Sequence, residues 1–290
     1  MAGKWSLALH GGAGPVFGRD YTKEETHMKS LLEQGAERLE NGGSAVDVVE
    51  AMCMEFERCG LHLAGKGASP NTKGEYELDA AIMDGRTRNA GAIAALQGFE
   101  HPIKAARLVM DKTPNVLIVG EGANALATQA GLSTIDSPDD YYVPVESRTV
   151  QVGDPAFGTV GAVALDIYGD LAAATSTGGI GSKTPGRVGD SALLGAGTWA
   201  DERIAISCTG LGEYFIRANA AADASARIRY GGASAQDAVQ GALDDVKRLG
   251  GEGGMIAVTA SGEIIALTNS GGLKRALANS DGVREVATFL

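Results

Sequence analysis

Two apolar runs made almost wholly of glycine, alanine and valine, TVGAVALD and LAAATST, flank the triplet Tyr168-Gly169-Asp170. The pattern is that of a β-hairpin with a tight turn. Side chains this small fill a strand's surface only where another backbone lies close against it. The whole chain shares the bias, with 42 glycines in 290 residues, well above the usual share of about 7 %, and no low-complexity repeat. LDAAIMDG and AGAIAAL read as a second strand pair, and MIAVTASGEIIALT as a last hairpin. Hairpins that follow one another imply antiparallel pairing, and the helices cluster in sequence instead of alternating with strands. Stacked sheets covered by helices are therefore expected, an α+β fold and not a doubly wound parallel sheet.

Around these strands the sequence predicts further elements. WSLALHGGAG is a short buried strand running into a glycine turn. A helix follows from about Lys23 to Glu40, opened by a capping box of Thr22 and Glu25 and closed by Asn41-Gly42-Gly43. Ser44 caps a second helix through Glu57, with Val48, Met52 and Phe56 at helical spacing. HPIKAARLVM is a helix with Pro102 in its first turn, and NVLIVG a buried strand. Residues 131–158 have no sustained periodicity and form the expected surface loop. Two helices, near 212–228 and 234–249, precede the last hairpin. No charged or Pro/Ser-rich linker divides the chain, so residues 1–290 are read as one domain.

Composition excludes several partners. The formal charge is −11, from 36 acidic and 25 basic residues, so neither nucleic acid nor an anionic membrane is an expected partner. Cys53, Cys59 and Cys208 are too few and odd in number for a disulfide framework. They are expected as buried thiols. With no apolar run of membrane length and no signal-peptide pattern at the start, a cytoplasmic location is expected.

Two glycine motifs fail on inspection. VLIVGEGANA imitates a dinucleotide fingerprint, but an irregular loop follows it where a βαβ unit should. GGIGSKTPGR resembles a phosphate loop, yet Ser182 separates the lysine from the glycine it should follow. His10, His27, His62 and His101 have no His or Cys partner at metal-ligand spacing, so no histidine zinc site is expected. His10 is read as making a structural hydrogen bond. There is no G-x-S-x-G elbow.

Downstream of the midpoint, Thr159, Thr175, Ser176, Thr177, Arg187, Asp190 and Thr209 all fall at strand ends or in glycine loops. Singly, the threonines are ordinary sheet formers and Arg187 with Asp190 a surface ion pair of little value. Together they supply the parts of a threonine nucleophile site. A threonine hydroxyl is a weak nucleophile until a base takes its proton, and the amine of an amino-terminal threonine can be that base. Its pKa of about 7.7–8.0 suits it to accept and return a proton near neutrality. That amine exists only if the chain is cut before Thr159. Gly158 leaves the bond open to attack by the hydroxyl itself.

The blocks LALHGGAG, AGKGA, ELDAAIMDG, HPIKAARLVM, VGEGA, GTVGAVALD, AAATSTGG, PGRVGDS, SCTGLGE and GGMIAV, in order from residue 7 to about 258, resemble the plant-type L-asparaginase, or isoaspartyl aminopeptidase, family of N-terminal nucleophile hydrolases. The resemblance implies a four-layer αββα sandwich and a precursor that cuts itself between Gly158 and Thr159 into subunits 1–158 and 159–290. It also implies assembly as a dimer of such pairs. Thr159 would be nucleophile and base, with Thr177 assisting. Arg187 would hold the substrate α-carboxylate and Asp190 its α-ammonium, with Gly212 beside them, while Thr209 and Gly210 would form the oxyanion hole. The implied substrates are β-aspartyl dipeptides and asparagine. No catalytic cofactor is implied, only a structural sodium ion held by backbone carbonyls within residues 57–69.

The chain departs from the family pattern in places. Leu63 stands where the family reads an asparagine close to the nucleophile, and NSGGLKRA replaces a segment resembling NTEGM. The loop ASPNTKGEYELD is unusual and permits a preference for a cationic second residue, as in β-Asp-Arg, beside the broader β-aspartyl dipeptidase activity. Two other readings stay open on the same scaffold: an amidase acting on glycosylated asparagine, and a catalytically silent binding protein.

Overall fold

The hairpin of small residues lies at the centre of the larger of two sheets. The structure, a computed structural model, describes residues 3–143 and 158–289; the part of the expected surface loop from 144 to 157 lies outside the described residues. The strands are β1 (Ser6–Ala13), β2 (Leu78–Asp84), β3 (Ala90–Leu96), β4 (Leu117–Val119), β5 (Val160–Leu165), β6 (Leu171–Thr177), β7 (Thr198–Ala200), β8 (Ile204–Gly210), β9 (Gly253–Thr259), β10 (Ile264–Thr268), β11 (Gly272–Asn279) and β12 (Arg284–Phe289). The helices are α1 (Thr22–Glu40), α2 (Ala45–Cys59), α3 (Pro102–Lys112), α4 (Glu121–Gln129), α5 (Pro138–Tyr141), α6 (Gly212–Ala218), α7 (Ala220–Gly231) and α8 (Ala235–Arg248).

One sheet runs β12-β11-β1-β5-β6-β2-β3-β4 and the other β10-β9-β8-β7. Among the described residues every pairing of these strands is antiparallel except β3 with β4. Alternation along the strands sorts the core into three seams. On β5, Val160, Ala162 and Ala164 join Leu7 and Leu9 of β1 under α1, α2 and α3. The opposite face of β5, with Val163 and Leu165, meets Ile256 and Val258 of β9 between the sheets. The outer face of the smaller sheet, with Ile206 and Met255, is covered by Val239, Leu243 and Val246 of α8. Helix, sheet, sheet and helix thus stack as the expected αββα sandwich, an α+β fold. Among the described residues no helix is long and apolar enough to cross a membrane.

Four expectations need correction. The capping box at Thr22 does not form, because Tyr21 occupies the cap position and Thr22 is already inside α1. Asp20 Oδ1 instead accepts from the Thr22 backbone N–H at 2.9 Å, and Glu25 takes the Thr288 hydroxyl at 2.7 Å. The NVLIVG strand is not buried: β4 is an edge strand, with Leu117 and Val119 42 % and 54 % exposed. The helix expected near 212–228 breaks at Asn219, whose φ of 48° is left-handed, a conformation that asparagine tolerates better than most residues. Finally, β9–β10 is not the last hairpin; β11 and β12 follow, and β11 pairs with β1 to complete the large sheet. The cap at Ser44 forms as expected, its hydroxyl accepting from the Asp47 N–H at 3.2 Å.

Candidate active site

Thr159 stands immediately before β5, and Thr177 is the last residue of β6. The register that sets Val160 opposite Ser176 brings the two threonines face to face. The Thr159 hydroxyl donates to Thr177 Oγ1 at 3.2 Å, and Thr177 Oγ1 also accepts from the Gly179 N–H at 3.0 Å. Both side chains are buried. A pocket opens over them, lined among others by Gly158, Arg187, Asp190 and Gly210.

The reason for glycine at 158 is steric. A Cβ there would lie 2.2 Å from both Cβ and Cδ1 of Leu63, far inside van der Waals contact. Leu63 itself is held by its own carbonyl, which accepts from the Gly178 N–H at 2.6 Å. The residue that departs from the family pattern therefore packs directly on the bond before Thr159.

Arg187 and Asp190 reach the same pocket but do not pair with each other. The Arg187 guanidinium makes a fork to Glu213, from Nε at 2.8 Å and Nη2 at 2.9 Å. This bond and the charge behind it hold the Glu213 carboxyl below its usual range, against partial burial. Asp190 is 3 % exposed, and its Oδ2 has no hydrogen-bond partner among the described residues. Burial pushes its carboxyl up to about 7, against a backbone hydrogen bond and the nearby Arg187 charge. Gly212 opens α6 between the two: a Cβ there would stand 2.8 Å from Asp190 Oδ1 and 3.1 Å from Arg187 Nη2. Gly210 ends β8 at the pocket wall, and Thr209 sits one residue behind it, fully buried, its hydroxyl 3.4 Å from the Ala13 N–H.

Beneath the pocket, buried side chains tie the layers together. His10 Nε2 lies 2.9 Å from Ser207 Oγ, which lies 2.7 Å from Thr175 Oγ1. Thr198 continues the chain to Thr175 at 2.7 Å and to the Ser191 carbonyl at 3.0 Å, next to Asp190. Burial pushes the His10 imidazole down to about 3, so it is neutral at working pH and serves as the structural bond expected of it. On the helical side, Glu57 accepts from Ser176 Oγ at 2.7 Å and the Ile103 N–H at 2.9 Å, with His101 Nδ1 at 3.1 Å. Burial raises its carboxyl, and the His101 contact partly offsets this. α2 is thereby fixed beneath the end of β6.

Sequence reasoning missed Glu213, Ser207 and Glu57. Glu213 lies inside the SCTGLGE block and Glu57 stands four residues after Cys53 on the buried stripe of α2, where a lone carboxylate signals an internal partner. Ser207 carried no local signal. In the expected sodium loop, the carbonyls of Glu57 and His62 turn in on Gly65 and Gly67, where a Cβ would come within 2.4 Å and 1.9 Å of them. The His62 carbonyl also accepts from the Ala64 N–H at 2.8 Å.

The αββα stack with a threonine at the head of a central strand is the fold of an N-terminal nucleophile hydrolase. The model of the family described as Asparaginase matches residues 3–143 and 137–288. An isoaspartyl peptidase of Salmonella typhimurium is 42 % identical, covering 93 % of this chain and 94 % of its own. One from Escherichia coli K12 is 41 % identical over 94 % of this chain and 92 % of its own. The human isoaspartyl peptidase/L-asparaginase is 41 % identical over 90 % and 88 %. The chain belongs to the asparaginase family.

Proposed function

We propose that this chain is a self-cleaving threonine hydrolase of β-aspartyl dipeptides, with L-asparaginase activity as its lesser reaction. The observation that carries this reading is the pair Thr159 and Thr177, 3.2 Å apart, in a pocket that also holds a cation and an unpartnered carboxylate oxygen. The activity in the names of the relatives agrees with it.

In the first reaction, Thr159 Oγ attacks the Gly158 carbonyl carbon, the C–N bond gives way to an ester, and water splits the ester. Gly158 gains a carboxylate and Thr159 a free amine. Burial favours the neutral form of that amine, which is the basic one. In turnover the amine takes the hydroxyl proton while Thr177 steadies the oxygen. Asp190 receives the substrate α-ammonium, which supplies the partner its Oδ2 lacks. Arg187 receives the α-carboxylate, using N–H donors that Glu213 leaves free. Gly212 provides room for this end of the substrate. The side-chain carbonyl then lies at Thr159, and Thr209 with the Gly210 N–H stabilises the oxyanion. The leaving amine takes the proton, and water releases aspartate from the acyl-enzyme.

The same reading includes subunits 1–158 and 159–290 in a dimer of pairs, a cytoplasmic location and a structural sodium ion in the loop of residues 57–69. The three cysteines are free thiols, in keeping with that location. For the leaving group, breadth is favoured over a cationic preference. Asn71 Nδ2 already engages Glu75 and Glu77 at 3.0 and 3.1 Å, and the Lys183 ammonium lies against Gly178 and the Glu77 carbonyl, on the side of Gly179.

Intact mass measurement after incubation at neutral pH tests the reading: two fragments meeting between Gly158 and Thr159 are expected, and Thr159→Ala should remain one inactive chain. A cleaved, active Thr159→Ala protein would overturn it. β-Asp-Leu and β-Asp-Arg should turn over at similar rates, both faster than asparagine.

A further inference from the structure

Three side chains that the active site does not use meet at the far end of the loop carrying Leu63. His27 comes from α1, Cys59 from the last residue of α2, and His62 from the loop that follows. They bring two imidazole nitrogens and a sulfur within 4.8 Å of one another. Cys59 and His62 stand three residues apart, a spacing the sequence reading passed over when no histidine zinc site was expected, and His27 joins them only because the fold sets α1 against the end of α2.

The orientation of the rings is specific. His62 is 1 % exposed, and its Nδ1 faces the Gly11 carbonyl at 3.2 Å. A carbonyl can only accept, so the proton sits on Nδ1 and the lone pair on Nε2. His62 Nε2 is buried and has no hydrogen-bond partner among the described residues, and His27 Nδ1 is buried and unpartnered in the same way. A histidine held by a carbonyl on one nitrogen and presenting a bare lone pair on the other has the arrangement of a metal ligand with its orienting contact. Phe56 packs edge-on against both rings, with centroids 5.8 Å from His27 and 4.9 Å from His62. The Cys59 thiol donates to the Phe56 carbonyl at 3.2 Å, and its sulfur accepts from the Leu61 N–H at 3.4 Å and faces the His62 backbone N–H.

We propose that His27, Cys59 and His62 form a binding site for a divalent transition-metal ion of borderline softness, best suited to Zn²⁺, with one coordination position left for water. Two imidazoles and a thiolate match that class of ion, whereas the alkali cation expected nearby calls for oxygen. On binding, the thiol proton leaves to solvent as the metal–sulfur bond forms, and each imidazole gives its lone pair. Tetrahedral bonds of usual length place ligand atoms about 3.3–3.8 Å apart. Separations of up to 4.8 Å therefore close by up to about 1.5 Å on binding. The ion would tether α1 to the loop in which His62 directly precedes Leu63, the residue packed on Gly158.

The test uses the full chain without an affinity tag, with Co²⁺ as a spectroscopic probe. A thiolate-to-cobalt charge-transfer band should appear, saturate at one ion per chain and vanish when Zn²⁺ is added. Cys59→Ser, close in shape to the original, should lose the band. His27→Gln should bind Zn²⁺ more weakly by at least about 100-fold, beyond the range for a residue that merely supports a ligand. Zn²⁺ should raise the Tm of the wild type but not of Cys59→Ser, and the two should melt alike in chelator. Absence of the band in the wild type overturns the proposal, as does equal Zn²⁺ affinity in the wild type and both variants.

Discussion

Gly158→Ala is the most informative perturbation, because the structure sets its size. The new methyl would stand 2.2 Å from Leu63 Cβ and Cδ1 and 2.4 Å from Cγ, and ordinary contact begins at 3.4 Å, so the two residues must part by 1.2 Å. Leu63 has little freedom to yield: it is 5 % exposed and its carbonyl is bonded to Gly178. Most of the shift falls on residue 158, whose carbonyl carbon is the atom that Thr159 must attack. A misplacement of about 1 Å at a reacting centre costs on the order of 100-fold, or about 2.7 kcal/mol. That lies within the range of about 1–3 kcal/mol for overpacking a tight site.

The assay is the time course of self-cleavage followed by intact mass, starting from freshly refolded chain. Gly158→Ala should cleave about 100-fold more slowly than the wild type. Because Leu63 Cβ itself is among the atoms struck, adding Leu63→Ala should restore only part of the rate, and adding Leu63→Gly more of it. Wild-type cleavage by Gly158→Ala, or a double variant no faster than the single one, would refute the steric account.

Two further predictions concern the substrate end of the pocket. Arg187→Ala removes a charge-assisted contact worth about 1.5–3 kcal/mol, so KM should rise roughly 10- to 100-fold while self-cleavage stays near the wild-type rate; steady-state kinetics beside the mass assay checks both. Asp190, raised to about 7 by burial, holds a proton below that pH, and a cationic substrate must displace it. The sign follows: kcat/KM should rise tenfold per pH unit up to about 7 and then level off on this account, while Asp190→Asn loses the limb and binds weakly, as a pH profile on β-Asp-Leu would show.

The parts of the molecule legible in the sequence were those encoded locally. The β5–β6 hairpin followed from its turn and its small residues, and α2 from Ser44 and the spacing of Val48, Met52 and Phe56; the pairing of Thr159 with Thr177 was implied by the family resemblance, and the register that delivers it is a property of the fold. β11 and β12 went unread. The Gly-rich start of β11 and its adjacent lysine and arginine look irregular as sequence, yet β11 is an inner strand, paired with β1 on one side and β12 on the other. The same limit applies to side chains. Glu213 is adjacent in sequence to Gly212, yet its fork to Arg187 depends on α6 turning back over the PGRVGDS loop. His10 and Ser207 are separated by 197 positions, and no periodicity links them. Contacts between elements of different layers are set by stacking, which local propensity does not encode.

Register also bears on the proposed cut between Gly158 and Thr159. β5 begins its ladder with β6 at Val160 opposite Ser176, and its ladder with β1 at Gly161 opposite His10. Neither ladder uses a residue before Val160. Breaking the bond between Gly158 and Thr159 therefore removes no strand pair from the large sheet, and the hydroxyl chain beneath the pocket contains neither partner of that bond. Among the described residues both ladders engage the chain only on the C-terminal side of Thr159, while its hydroxyl is fixed by Thr177. Moved one residue later, the threonine would be within the paired strand with its side chain on the opposite face. Moved one earlier, it would meet Leu63. On the proposed reading, position 159 is where this strand can both hold a nucleophile rigidly and release its nitrogen.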